Sequence, residues 1–312
     1  ATLGRIVNYK GEDYLMTPDN WEDVGTRRGA RQEYNLSISG ASDKSTFYMS
    51  VGYLENEGIT EKSDMKRLTA RMRGDYQAKK WLKVGANMSY AHFESSNGNS
   101  SEGSSSSTAN IFAFASDMAP IYPLFIRNAD GSIKIDQYGL EMYDYGNKGN
   151  AGLVRPNLSD SNAMQTSWLN KAKSEGNAFT ANGYADFDIV DGLKLTINGT
   201  TTVDETRSLS VMNPYYGQFT EQGGTMTRYH SRDWTMNFQQ LLTYNKTFAD
   251  KHNVDLLLGH EYYRRQTYSV QGSKSRLFSY DTEELAGAVV DASGAYSSSS
   301  DYNNEGYFFR GQ

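Results

Sequence analysis

The sequence predicts an all-β fold: an antiparallel transmembrane β-barrel, represented in part. Three observations carry this reading. Apolar and polar residues alternate with period two in one run after another. Short connections between these runs alternate with long ones without exception, as in outer-membrane barrels. No window approaches the ~18 consecutive apolar residues that a helical span needs.

Composition agrees with such a wall. The 312 residues are 38% hydrophobic, with 23 Tyr and 29 Gly against 5 Pro. Mean hydropathy is −0.68, which excludes a helical membrane protein but not a barrel, whose strands average lipid-facing with lumen-facing residues. The net charge of −6 is spread along the chain, so there is no basic patch to hold nucleic acid. Cys is absent, which excludes disulfides and thiolate metal sites.

The strands follow in order. Phe47, Met49, Val51 and Tyr53 oppose Tyr48, Ser50 and Gly52. Leu68, Ala70, Met72, Gly74 and Tyr76 alternate with Thr69, Arg71, Arg73, Asp75 and Gln77. Two arginines on one inward face suit a wet lumen better than a dry core. Leu82, Val84, Ala86, Met88 and Tyr90 then oppose Lys83, Gly85, Asn87 and Ser89. The pattern returns at Phe179 to Phe187, at Leu193 to Val203, at Trp234 to Tyr244 and at Val254 to Leu258. A last run starts near Tyr302, giving about eight strands and part of a ninth. Arg71, Arg73, Asp75, Lys83 and Asn87 are therefore expected to face the lumen. Gln240 and His260 stand on the apolar parity, which predicts either a bulge or a position near a membrane interface.

Short turns are expected at 41–44, 78–80, 190–192 and 249–252. Long loops are expected near 1–30, 55–64, 95–175, 207–228 and 272–301, which places them outside the cell and the turns in the periplasm. Aromatics fall into two bands on the lipid parity. Tyr76, Phe187, Tyr244 and Phe248 lie toward the turns, and Tyr53, Tyr90, Trp234 and Tyr262 toward the loops, as interfacial girdles do. In the longest loop, 100–107 is Ser-rich and reads as mobile, as does 297–300. Residues 110–118 read as a helical turn against the barrel mouth.

Residues 34–59, YNLSISGASDKSTFYMSVGYLENEGI, resemble a barrel hairpin of the SusC/RagA family of TonB-linked outer-membrane proteins. The likeness continues through Ser63 to Arg67 and the strand ending at Tyr90. Trp21-Glu22-Asp23 resembles the tryptophan-acid stretch before that hairpin, and 252–261 and 305–311 resemble later barrel strands. The resemblance implies a 22-strand-type barrel in the outer membrane of a Gram-negative cell. It implies TonB-driven uptake of nutrients, most of all oligosaccharides, with a peptide as the lesser alternative. The implied partners are a SusD-like surface lipoprotein, outer-membrane lipid, and TonB acting through a plug. The sequence has no counterpart of that plug and no signal peptide, and its last run stops within an alternation, so it reads as an internal stretch of barrel.

Chemistry is not expected. Catalytic motifs such as HExxH and GxSxG are missing, so the chain reads as no enzyme, with no cofactor. His92, His230, His252 and His260 lack metal-ligand spacing. Asp130, Asp136, Asp144 and Asp160 read as solvated loop charge rather than a Ca²⁺ site. Arg73-Gly74-Asp75 lies mid-strand and reads as wall, not as an adhesion motif. Candidate substrate- or partner-contacting residues are the loop aromatics Tyr122, Phe125, Tyr138, Tyr143, Tyr145, Trp168, Tyr215 and Tyr216, since sugar rings stack on aromatic faces. For any one of them, packing of the loop on itself is the more ordinary role. Competing readings are a passive porin-like barrel and a soluble all-β glycan-binding or adhesin module.

Overall fold

A computed structural model describes residues 4–97, 110–217, 219–249 and 251–312. Nine strands form one antiparallel sheet: β3 (Arg31–Ala41), β4 (Ser45–Glu57), β5 (Asp64–Lys79), β6 (Leu82–Asn97), β7 (Lys171–Val190), β8 (Leu193–Met212), β9 (Thr225–Phe248), β10 (His252–Leu277) and β11 (Ala288–Gly311). Their spatial order is their chain order, so each strand pairs with the next. Before them, β1 (Arg5–Tyr9) and β2 (Glu12–Met16) form a separate hairpin, and α1 (Trp21–Gly25) follows. Helices α2 (Ile111–Asp117) and α3 (Ala163–Leu169) lie between β6 and β7, and a 3₁₀ turn (Leu285–Gly287) precedes β11. The sheet is a stretch of barrel wall, and the outer edges of β3 and β11 carry no partner strand among the described residues.

The two faces differ as the alternation demands. Val51 is paired with Ala70, Met72 with Met88, Val84 with Ala185, Ile197 with Gln240 and Leu258 with Leu242. Cross-strand partners share a face, so these residues fall on one side. They do not meet in a dry interior. Val51 is 53% exposed, Met72 49% and Leu258 54%, although each lies within a strand paired on both sides. An apolar face left open across seven or more strands is what hydrocarbon covers. On β9 the band runs from Trp234 to Tyr244, ten steps of about 3.3 Å. At a strand tilt near 40° that spans about 25 Å, the height of the apolar belt on such barrels.

The strands continue beyond that belt. Between 16 and 26 residues make up each of β5 to β11, where a span takes about 9–11. The loop bounds expected from sequence are corrected accordingly. The connections are 58–63, the segment between β6 and β7, 213–224 and 278–287. Residues 297–300 are not a loop at all, since they pair with Val270, Ser269, Tyr268 and Thr267. Outside the membrane both faces of a strand meet water, so the hydrophobic alternation stops while the ladder goes on. The Ser-rich stretch 100–107 lies outside the described residues. Segment 1–30, expected as plain loop, carries the β1–β2 hairpin and α1.

All four long connections leave one end of the sheet, and the short connections 42–44, 80–81, 191–192 and that between Phe248 and His252 leave the other. The apolar core of the chain sits in the long-connection end. Trp21, Ile111, Phe114, Met118, Leu124, Tyr143, Tyr145, Ala163 and Met164 form a buried cluster there. Asn110 and Asn162 cap α2 and α3 by accepting hydrogen bonds from their first-turn amides.

Gln240 and His260 need no bulge. They are direct partners in an unbroken register, joined by a hydrogen bond. Nε2 of His260 meets Glu305 at 2.9 Å, and Tyr307 stacks on the imidazole at 4.6 Å. Mutual pairing satisfies polar groups that the lipid face would otherwise leave bare.

Candidate functional site: a polar wall beneath a crown of loops

The face opposite the apolar band is a hydrogen-bonded polar surface. Asn182 Nδ2 donates to Asn198 Oδ1 at 2.7 Å and to Thr200 Oγ1 at 2.8 Å. Asn198 reaches Gln239 at 3.5 Å, and Gln239 and Asn237 both donate to Glu261, at 3.0 and 2.8 Å. Arg265 clasps Asp233 through two nitrogens. Arg71, Arg73, Asp75, Lys83 and Asn87 all occur on this face, with Arg71 opposite Ser89, Arg73 opposite Asn87, and Lys83 opposite Gln77. Asp75 accepts from Thr46 at 3.1 Å and from the Tyr184 hydroxyl. The tyrosine reaches it across Gly85, where a Cβ would lie 2.3 Å from the ring, so only glycine fits there. The network from Asn182 to Glu261 escaped the sequence reading, although its parity marked it.

The crown is stitched from segments distant in sequence. Asp19 accepts from the Leu124 amide at 2.8 Å and takes the Arg127 guanidinium through both oxygens, at 2.8 and 2.7 Å. That bidentate pair fixes the first segment to the long connection. Trp21 packs on Phe114 with centroids 5.5 Å apart and donates from its indole to the Tyr122 carbonyl at 3.0 Å. Arg155 is 1% exposed. Its guanidinium donates to the carbonyls of Leu158 and Ser161 at 2.9 and 2.6 Å and lies 5.6 Å from the Trp21 ring and 5.8 Å from that of Phe114. Burial pulls its pKa down, and the nearby Asp144 carboxylate opposes that. Burial in turn pushes the Asp144 carboxyl up, against hydrogen bonds from Asn150 and the Gly146 amide. Neither Trp21 nor Arg155 was a candidate from sequence, and only the Trp21 motif gave a signal.

The crown divides the eight aromatic candidates. Tyr143 and Tyr145 are core residues, which corrects their expected role as contacts. Burial raises both hydroxyls, that of Tyr143 to about 12. Tyr122, Phe125 and Tyr216 are partly buried against the same core. Phe125 lies 4.7 Å from Tyr143, and Tyr216 stacks on Tyr145 at 5.7 Å. Tyr216 donates its hydroxyl to Asp136. Tyr138, Tyr215 and Tyr280 form a row with ring separations of 5.0 and 5.7 Å, and Tyr138 and Trp168 are exposed. Asp130 and Asp136 close turns by accepting the amides of Ser132 and of Tyr138 and Leu140. Among the described residues no three His or acidic side chains gather as a metal site would.

The β10–β11 connection, 278–287, lies as a strap over the same face as the apolar band, but beyond it. Leu277, Tyr280 and Leu285 cover Leu209, Val211 and Met226. Glu283 meets Lys173 at 2.8 Å and Lys171 at 3.2 Å, and Arg228 holds the Glu283 carbonyl and the Glu284 carboxylate. A cavity of about 1170 Å³ lies between strap and strands. Burial works to raise the Glu283 pKa, but the two lysines outweigh it and hold the carboxyl below its ordinary value. A depressed carboxylate contributes stability above its unfolded pKa and loses it as pH falls through the folded value. Hydrogen-exchange protection of the strap should therefore drop below the ordinary glutamate range, and Glu283→Gln should remove that pH dependence. Equal acid sensitivity in wild type and Glu283→Gln would contradict the clasp.

No family model matches the chain. It is 26% identical over 306 residues to TonB-dependent receptor P3 of Formosa agariphila, covering 94% of this chain and 27% of that protein. It is 26% identical over 246 residues to TonB-dependent receptor P39 of the same organism, covering 76% of this chain and 20% of the relative. The chain thus spans about a quarter of the length of these relatives. Among solved structures, the RagAB peptide importer in its closed-closed state superposes with a TM-score of 0.72 at 22% identity, over 94% of this chain and 31% of that one. The open-open state of the same importer gives 0.72 over 95%. With the hairpin motif at 34–59, the two-faced sheet and the one-ended loops, these comparisons make the chain similar in sequence to TonB-dependent receptors and give it the fold of a stretch of transmembrane β-barrel wall.

Proposed function

We propose that this wall and crown belong to an outer-membrane importer that takes up oligosaccharides, is driven by TonB through a plug, and is lidded by a SusD-like surface lipoprotein. One observation carries the substrate class. The Tyr138–Tyr215 pair, with ring centroids 5.0 Å apart, lies in the loop crown, at the end from which a ligand would enter. Aromatic faces beside hydrogen-bonding groups suit the two-faced surface of a sugar. Exposed apolar side chains on the crown, among them Phe112, Ile121 and Ile135, support a lipoprotein seated there.

A peptide is the second reading. Similarity in fold to the RagAB peptide importer favours it, as do the charges of Arg71, Arg73 and Glu261 on the polar face, which suit zwitterionic chains. Uptake assays on the receptor in cells separate the two. Tyr215→Ala should lower oligosaccharide uptake about fivefold, the worth of one aromatic contact, and leave peptide uptake unchanged. Uptake should stop without TonB. The reverse substrate pattern would favour the peptide, and uptake that persists without TonB would mean a passive barrel.

A further inference from the structure

The wall changes character abruptly just above its apolar band. On the outward face of β8, Val203 is followed by Glu205 and Arg207; on β9, Trp234 by Arg232 and His230; on β10, Tyr262 by Arg264 and Gln266. A hollow of about 600 Å³ opens at this step, lined by the cross-strand row Val203, Trp234, Gln266 and Asp301 and by Arg232 and Tyr268 in the next row out. Its floor is rigid, since Trp234 donates its indole to Thr201 at 2.9 Å. Arg264 lies 5.8 Å from that ring and is held by Asp301, which also accepts from Gln266.

Arg232 is different. It is exposed, and among the described residues it meets no carboxylate. Its cross-strand neighbour Glu205 turns instead to His230 at 2.9 Å and toward Arg207. The hollow thus combines one uncommitted guanidinium with hydroxyl and amide groups from Tyr268 and Gln266, while its one carboxylate, Asp301, is already taken up by Arg264 from beside the hollow. Its floor continues into the oily band through Met236 and Phe238. A soluble anion would use the upper half of this arrangement and waste the lower.

We infer that this hollow seats the headgroup of an anionic glycolipid of the outer leaflet, with a phosphate on Arg232, a sugar ring against Trp234 and Tyr268, and acyl chains running down past Phe238. Guanidinium forks suit phosphate oxygens, and a tryptophan at a girdle sits at headgroup depth. This site rests on the membrane placement of the wall but not on the choice of nutrient.

The test uses the receptor in lipid nanodiscs, with native mass spectrometry reading the lipids it retains. The probes are a phosphorylated acylated glucosamine disaccharide, its dephosphorylated form, and acyl-free glucosamine phosphate. The phosphorylated lipid should be preferred, and Arg232→Gln should lower its retention about fivefold, the effect of one basic residue at a charged membrane surface. Arg71→Gln, on the opposite face, should leave lipid retention unchanged. Equal retention of the two lipids, or an unaffected Arg232→Gln, would overturn the site. So would acyl-free glucosamine phosphate binding as tightly as the lipid, or a second receptor copy cross-linking through position 232. A receptor that fails to insert would refute the membrane placement too, whereas normal insertion without lipid discrimination would refute this site alone.

Discussion

Trp21→Ala should open the loop crown while leaving the wall intact. The indole is 3% exposed, packs on Phe114, lies under the Arg155 guanidinium and satisfies the Tyr122 carbonyl. Removing a buried tryptophan from a well-packed core costs about 3–5 kcal/mol. Here the loss also strips one aromatic face from a buried cation. Limited proteolysis should then cut within 110–170 much faster than in wild type, while the barrel keeps its gel mobility shift on heating. Crown protection equal to wild type would contradict a core built around Trp21. Loss of the heat-modifiable barrel would show that crown and wall do not fold separately.

Val84→Arg and Leu256→Arg should each destabilise the inserted barrel by about 2–4 kcal/mol, the cost of a basic side chain on the lipid face near the midplane. Both residues belong to the open apolar face, Val84 opposite Ala185 and Leu256 opposite Tyr244. Lys83→Thr, one step along β6 on the polar face, should change stability little. Urea titration in liposomes reads the difference. Equal penalties at positions 83 and 84 would contradict the assignment of faces.

What the sequence revealed follows from where the physics is one-sided. Within the membrane one face of each strand meets hydrocarbon, so Leu82 to Tyr90 or Leu193 to Val203 announce themselves by alternation. The projecting ends have water on both faces. Ser297 to Ser300 therefore look like a mobile tract, although each is paired with β10. The crown was harder still. Its core joins Trp21, the 111–126 region and the 143–164 region, and no local period marks contacts made across a hundred residues. Tyr143 and Tyr145 looked like ligand contacts because aromatic content alone does not separate a packed ring from a presented one. Gln240 and His260 were legible as misfits, but their remedy was not, since it lies on neighbouring strands and in Glu305.

The chain contains no cysteine, so single cysteines can be introduced one at a time along β9, spin-labelled in the receptor and probed with oxygen, which concentrates in lipid, and with a water-soluble nickel chelate. Labels at 236, 238 and 242 should respond to oxygen, and labels at 237, 239 and 243 to nickel, with a period of two residues. A flat profile, or a common response from both sets, would mean that these strands do not separate oil from water.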